Sequence, residues 1–348
     1  MVTDLRILAL LTVCLGLPGC YVMQAARGQM QIVNAREPIS RVLEDPAAPA
    51  ELRQRLESVR AAREFASREL ALPNNQSYTS YADIGREYVV WNVVATPEFS
   101  VEPREWCFPV VGCVAYRGYF KEQKARDFAA KLRAEGMDTV VEGVPAYSTL
   151  GKFNDPVLNT MLSYGEDELA SILFHELSHQ VVYIPDDSAF NEAFAVTVEQ
   201  EGLARWLKQR GREGELARHV DRRARQAASI RIIAKYREQL AALYARDLAP
   251  SDMRQRKSEE FAALVQELAA LDARYGVKSR LAQELTDAPN NARLASLATY
   301  YDCVPGFQRV LAEEQHDLPR FYAAAHRLAK LTRDERRAKL CASDLAAP

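Results

Sequence analysis

The sequence predicts a predominantly helical α+β fold, with a small sheet early in the chain and a long helical hairpin later. Three observations predict it. Apolar residues recur at helical spacing over most of the 348 residues, strand-like runs are few, and a charged stretch carries two helical periods split by a proline turn.

Taken in order, Ile7 to Leu17 is an apolar stretch of signal-peptide length, too short to span a bilayer as a helix. It ends in Leu17-Pro18-Gly19-Cys20, which resembles a lipobox, where the cysteine takes the lipid and becomes the first residue after cleavage. Neither residue after Cys20 is Asp, so the enterobacterial inner-membrane retention signal is missing and the outer membrane is the favoured destination. Helical patterns run from Glu51 to Leu70 and from Lys121 to Gly136. Strand-like runs fall between Tyr88 and Val94, Val114 and Tyr119, and Thr139 and Val141. Two further helices are expected from Asp167 to Tyr183 and from Phe190 to Gly211, separated by a turn at Pro185, Asp186 and Asp187. From Glu213 to Tyr275 the chain is dense in Arg, Glu and Ala. Seam residues such as Ile233, Leu240, Phe261 and Leu264 sit at helical spacing, and Pro250-Ser251-Asp252 supplies a turn and an N-cap. That hairpin reads as a charged exterior over a packed seam, with a docking arm as the alternative. The expected organisation is a signal peptide over 1–19 and one compound domain over 20–348 that includes the hairpin 213–275.

Composition narrows the functional classes. A chain 48% hydrophobic can bury a large core, and a net charge of -2 gives no reason to expect nucleic acid. Apart from Cys14 and Cys20, the cysteines are Cys107, Cys113, Cys303 and Cys341, an even set that suits an exported, oxidising setting. Cys107 and Cys113 close a short loop and are the favoured pair; the pairing of the other two is not readable from sequence.

The chemistry concentrates at His175-Glu176-Leu177-Ser178-His179. On a helix, residues four apart share a face, so both imidazoles can meet one ion, with Glu176 beside it as a general base. A catalytic zinc needs a third protein ligand and an open position for water. Glu192, in Asn191-Glu192-Ala193-Phe194-Ala195, and Glu199, two turns on along the same face, are the two candidates. His219, His316 and His326 lack such company and read as surface or supporting residues.

The Asn-Glu-x-Phe-Ala string resembles the third-ligand motif of the gluzincins, notably the M1 aminopeptidases, although the loop before it is shorter here. Four further segments occur in order around HExxH: Trp106-Cys107-Phe108-Pro109, Gly112 to Phe120, Val144 to Gly151, and Tyr300 to Phe307. Together they resemble the bacterial aminopeptidase lipoprotein family, from the lipidation site almost to the C-terminus. The resemblance implies a zincin-like catalytic core holding one Zn²⁺ through His175, His179 and Glu192. It also implies a water whose pKa falls towards ~7 on the metal. Glu176 would take the proton of that water and pass it to the leaving amine. Tyr300, or Tyr301 after it, is the candidate oxyanion donor. The implied protein is a zinc peptidase acting on peptides at the periplasmic face of the envelope, held to the membrane by its lipid. N-terminal trimming also needs an anionic pocket for the substrate amine. The Gly-x-Met-Glu-Asn motif of M1 enzymes is absent, and Glu142 is the nearest stand-in. The alternative class is a non-catalytic lipoprotein that keeps the metal site and uses the hairpin to bind a partner.

Overall fold

The computed structural model describes residues 21, 23–108, 112–146, 149, 151–278, 280–298 and 303–341. Helices dominate and the sheets are small. A first helix, α1 (23–34), leads into β1 (Arg36–Pro38), α2 (Ile39–Glu44) and α3 (Ala50–Glu69). Short strands β2 (Ser80–Ala82) and β8 (Val157–Leu158) join β1 in one sheet, β2 pairing antiparallel to β1 and parallel to β8.

The second sheet has the order β6-β3-β7, built from β3 (Val90–Pro97), β6 (Arg117–Tyr119) and β7 (Met137–Val144), all antiparallel. Strand β3 is buried along nearly its whole length because both of its faces are covered. Trp91, Val93 and Ala95 pack on Ala125, Ala129 and Leu132 of α4 (Glu122–Ala134). The opposite face meets α10 (Asn291–Ala298). Between β3 and β6 lies a hairpin of β4 (Trp106–Phe108) and β5 (Gly112–Val114), cross-linked by a disulfide between Cys107 and Cys113.

Helices α5 (Glu166–Ser178) and α6 (Ser188–Gln209) pack against each other at the centre of the largest core. Glu166, Asp167 and Glu168 occupy the first turn of α5, where carboxylates suit the helix dipole, and Arg210 and Arg212 bind the first two. Phe190 and Phe194, one turn apart on α6, stack on Phe307 of α11 (Val304–Glu313) and on Phe321 of α12 (Leu318–Ala329). A second disulfide, Cys303–Cys341, ties the start of α11 to the residue after α13 (Arg333–Leu340).

The charged stretch forms α7 (Glu213–Tyr244) and α8 (Pro250–Arg274), with a buried seam that includes Ile233, Leu240, Phe261, Leu264 and Leu268. Helix α9 (Arg280–Asp287) packs on α8. No helix among the described residues is long and apolar enough to cross a membrane.

Several boundaries differ from the sequence expectation. Helix α5 ends at Ser178 rather than Tyr183: the Ser178 hydroxyl donates to the His175 carbonyl at 2.6 Å, and Gln180 and Val181 close tight turns. Val181 and Val182 carry helical apolar spacing, yet Val182 reaches the core from a loop. Pro250 stands at N1 of α8, with Ala249 as N-cap, because its missing N–H is unneeded there. The run from Val114 to Tyr119 is two strands with a break at Ala115 and Tyr116.

Candidate metal centre

The site forms where α5 and α6 meet. His175 lies in the last turn of α5 and His179 caps its C-terminus, so the two rings face each other edge-on with centroids 4.9 Å apart. Glu192, in the second turn of α6, places one carboxylate oxygen 3.3 Å from His175 Nε2 and the other 3.8 Å from His179 Nε2. Atoms of these three residues lie within 4.8 Å of one another and could hold a metal ion.

Glu199 approaches from the other side. Its carboxylate is 3.2 Å from His175 Nδ1, the nitrogen that points away from the three-residue cluster. A carboxylate in that place fixes the imidazole tautomer and raises the basicity of the opposite nitrogen. Behind Glu199, α7 contributes the half-buried Arg223 guanidinium, which feels the Glu199 charge and donates to the Gln200 carbonyl.

The α5–α6 connection explains why these side chains converge. Asp186 adopts a left-handed conformation, and Asp187 then caps α6 by accepting the Phe190 N–H. Asn191 accepts the Ile184 N–H at 2.8 Å and donates to the Ile184 carbonyl at 2.7 Å, pinning the loop one residue before Glu192. Arg336 of α13 donates to the buried Asp187 carboxylate through Nε, at 2.7 Å. On the His179 side, Gln180 bonds Asn75 and Ser77, and their loop is held by Arg63 through the Pro73, Asn75 and Ser77 carbonyls.

Charges in the site are strongly coupled. Burial pulls the His175 imidazole down, but hydrogen bonds to Glu192 and Glu199 and the nearby carboxylates outweigh it and hold His175 well above its ordinary value. Burial raises Glu192, and its contacts with His175 and His179 overcome that and hold it low. Burial lowers His179 to about 4. Its Nδ1 is buried with no hydrogen-bond partner among the described residues. Glu176 is raised to about 7, first by burial and then by the charges of Glu192, Asp155 and Glu199, with His175 opposing.

A family model described as "Putative aminopeptidase" matches residues 20–340. The chain belongs to this family. No curated protein and no solved structure matches it. Membership carries a peptidase role at a coarse level, and it places the converging histidines and carboxylates within the family's matched span.

Other candidates from the sequence fare differently. Glu142 is engaged by the Arg293 guanidinium and accepts the Ser296 hydroxyl at 2.6 Å, so its carboxylate is occupied by α10 rather than offered to an amine. His219 is buried beside Asp167 and Arg222, while His316 and His326 are exposed. Tyr300, Tyr301 and Cys20 lie outside the described residues. Two tyrosines that sequence reasoning did not single out stand near the carboxylates. Burial raises the Tyr116 hydroxyl above its ordinary value, and Glu192, Tyr183, Tyr21 and Glu176 add to the rise. Tyr183 is raised by burial, Glu192 and Asp186. Tyr116 lies inside the Gly112–Phe120 segment quoted for the family resemblance, which was the only signal for it.

Proposed function

We propose that this chain is a zinc-dependent peptidase with a zincin-like core, lipid-anchored through Cys20 at the periplasmic face of the outer membrane of a bacterial envelope. Its ligands would be His175 Nε2, His179 Nε2 and a Glu192 oxygen. The observation that carries the reading is Glu192 reaching both Nε2 atoms while Glu199 stands at Nδ1 of His175. The donor set fits the ion: two imidazoles and one carboxylate are a common set for catalytic zinc and leave one position open. A structural zinc site normally fills all four positions with protein ligands, which argues against a purely structural role.

Bound zinc supplies a Lewis acid that polarises the scissile carbonyl and acidifies a coordinated water. The protein's own residues do the rest. Glu192 and the histidines orient the centre, Glu199 holds the His175 ring, and Glu176 stands next to His175 in sequence as the group that accepts a proton and returns it to the leaving amine. No hydrogen bond among the described residues uses the Glu176 carboxylate, although burial raises it to about 7. Peptides of the envelope would be the substrates.

The test is a peptide-library digest with the purified zinc-loaded chain beside Glu176→Gln. Cleavage by wild type that vanishes in the variant, at equal zinc content, supports the assignment. Equal cleavage by both removes Glu176 from its role.

A further inference from the structure

A lipid on Cys20 ties the chain to a bilayer at one point, and the protein surface next to that point decides which way the folded body faces. We propose that the outward face of α1 lies on the membrane surface, against phospholipid headgroups; this placement rests on the Cys20 anchor.

Helix α1 is fixed to the body along one side. Gln24 donates from Nε2 to the Gly118 carbonyl and accepts the Phe120 N–H at Oε1, both at 3.3 Å. One turn on, a Cβ on Gly28 would collide with the Phe120 ring, so the helix backbone lies directly against that ring. A further turn on, Ile32 is 2% exposed in the largest core. Just before the helix, the Tyr21 ring stacks on Phe108 and meets Tyr119 edge-on, with the Arg117 guanidinium 4.2 Å from its centroid. A single peptide bond joins Cys20 to Tyr21, so a lipid on Cys20 is attached beside a docked residue and not through a long linker.

The opposite side of α1 faces out. Met23, Ala26, Arg27, Met30 and Asn34 are all exposed. At about 3.6 residues per turn they share an arc of roughly 100°, turned away from Gln24, Gly28 and Ile32. Met23 is 53% exposed and Met30 57%, the two most exposed large apolar side chains among the described residues. Phe153, Val220 and Val277, the others, stand singly on separate segments, as isolated surface apolar residues commonly do. On α1 two share one face, next to the residue proposed to carry the lipid.

The charge pattern suits a phospholipid surface. Over residues 21–35 the only charged side chain is Arg27, so this stretch offers a cation to lipid phosphate and no carboxylate to repel it. Unbranched thioethers adapt to the uneven boundary between headgroups and acyl chains. So small a stripe is too weak to hold the chain from solution. With a lipid as tether the membrane is always close, and a weak contact is enough to set the orientation.

The experiment oxidises the native methionines, so the stripe itself is left unaltered. The full chain, purified from membranes, is inserted into the outer leaflet of preformed vesicles of phosphatidylethanolamine and phosphatidylglycerol. It is then treated with chloramine-T, a charged oxidant that stays outside the bilayer. Mass spectrometry reads the lipid on Cys20 and the rate of sulfoxide formation at each methionine. The reference is Met137, half-buried and at the other end of β3 from the Gly118 contact. Against that reference, Met23 and Met30 are expected to oxidise roughly 5-fold or more slowly on vesicles than in the vesicle-free Cys20→Ser chain, because a helix in the interface sinks its apolar face by ~5–10 Å. A lipidated chain whose Met23 and Met30 oxidise as fast on vesicles as in the free variant overturns the placement and leaves the anchor standing. Slow oxidation of both in the free variant, matching the buried Met161, means that protein covers the stripe and overturns the placement as well. A chain that does not bind vesicles, or binds them with Cys20 unmodified, overturns the anchor and this placement with it.

Discussion

Arg336→Met tests how far the metal centre depends on the C-terminal helix. In the folded chain Asp187 is 4% exposed and Arg336 7% exposed, and the guanidinium approaches one carboxylate oxygen at 2.7 Å through Nε and 2.6 Å through Nη2. Methionine keeps an unbranched apolar stem but removes the guanidinium, whose central carbon lies 5.7 Å from the Phe190 ring centroid. Among the described residues, the Asp187 carboxylate would then keep only the Phe190 N–H at 3.2 Å, a long bond that cannot replace an ion pair. Removing one partner of a buried pair costs ~3–5 kcal/mol, because the remaining charge stays desolvated. For a chain of this size that corresponds to a fall in Tm of roughly 4–7 °C, measured by calorimetry on metal-stripped protein so that ligand binding does not shift the midpoint. Adding Asp187→Asn removes the stranded charge and keeps an N-cap, so the double variant should recover about half of the loss. Zinc affinity should fall in Arg336→Met as well, since Asp187 starts the helix that carries Glu192. A Tm within about 1 °C of wild type for Arg336→Met would refute the reasoning.

Glu176→Gln should keep fold and zinc but lose ~10²–10⁴-fold or more in kcat, read in a fluorogenic peptide assay; wild-type turnover would exclude Glu176 as the base. Zinc affinity should rise with pH. His175 is held above its ordinary value, so below that raised value a proton must leave before the metal binds, and binding should release it into buffer. Competition titrations that show no pH dependence through the neutral range would contradict this. Cys20→Ser should release the chain from membranes, and mass spectrometry of the wild type should find the lipid on Cys20; an unmodified Cys20 in membrane-bound protein would point to another anchor.

Much of the site was legible because its elements are local. The HExxH spacing and the apolar run before it place His175 and His179 together from sequence alone. Asn191-Glu192 was legible as a motif, although the reason for Asn191, its clamp on Ile184, needed the fold. The choice between Glu192 and Glu199 was not readable. Both lie on one face of α6, and only the packing of α6 on α5 puts one at Nε2 and the other at Nδ1 of His175. Among the elements, the long helices followed their periodicity closely. The two- and three-residue strands β1, β2 and β8 are too short to carry a period, and tertiary contacts decide them. The end of α5 was overrun because Val181 and Val182 are apolar whether they belong to a helix or to a buried loop.

The most direct test of the central claim is metal content across five proteins: wild type, His175→Ala, His179→Ala, Glu192→Ala and Glu199→Ala. Inductively coupled plasma mass spectrometry on the purified chains should find close to one zinc in wild type and essentially none in the first three variants. Glu199→Ala should retain zinc with an affinity ~10–100-fold weaker, as expected for a carboxylate that orients a ligand rather than binding the metal. Full zinc in both histidine variants would place the metal elsewhere and contradict the account. Retention by Glu192→Ala with loss in Glu199→Ala would transfer the third ligand to Glu199.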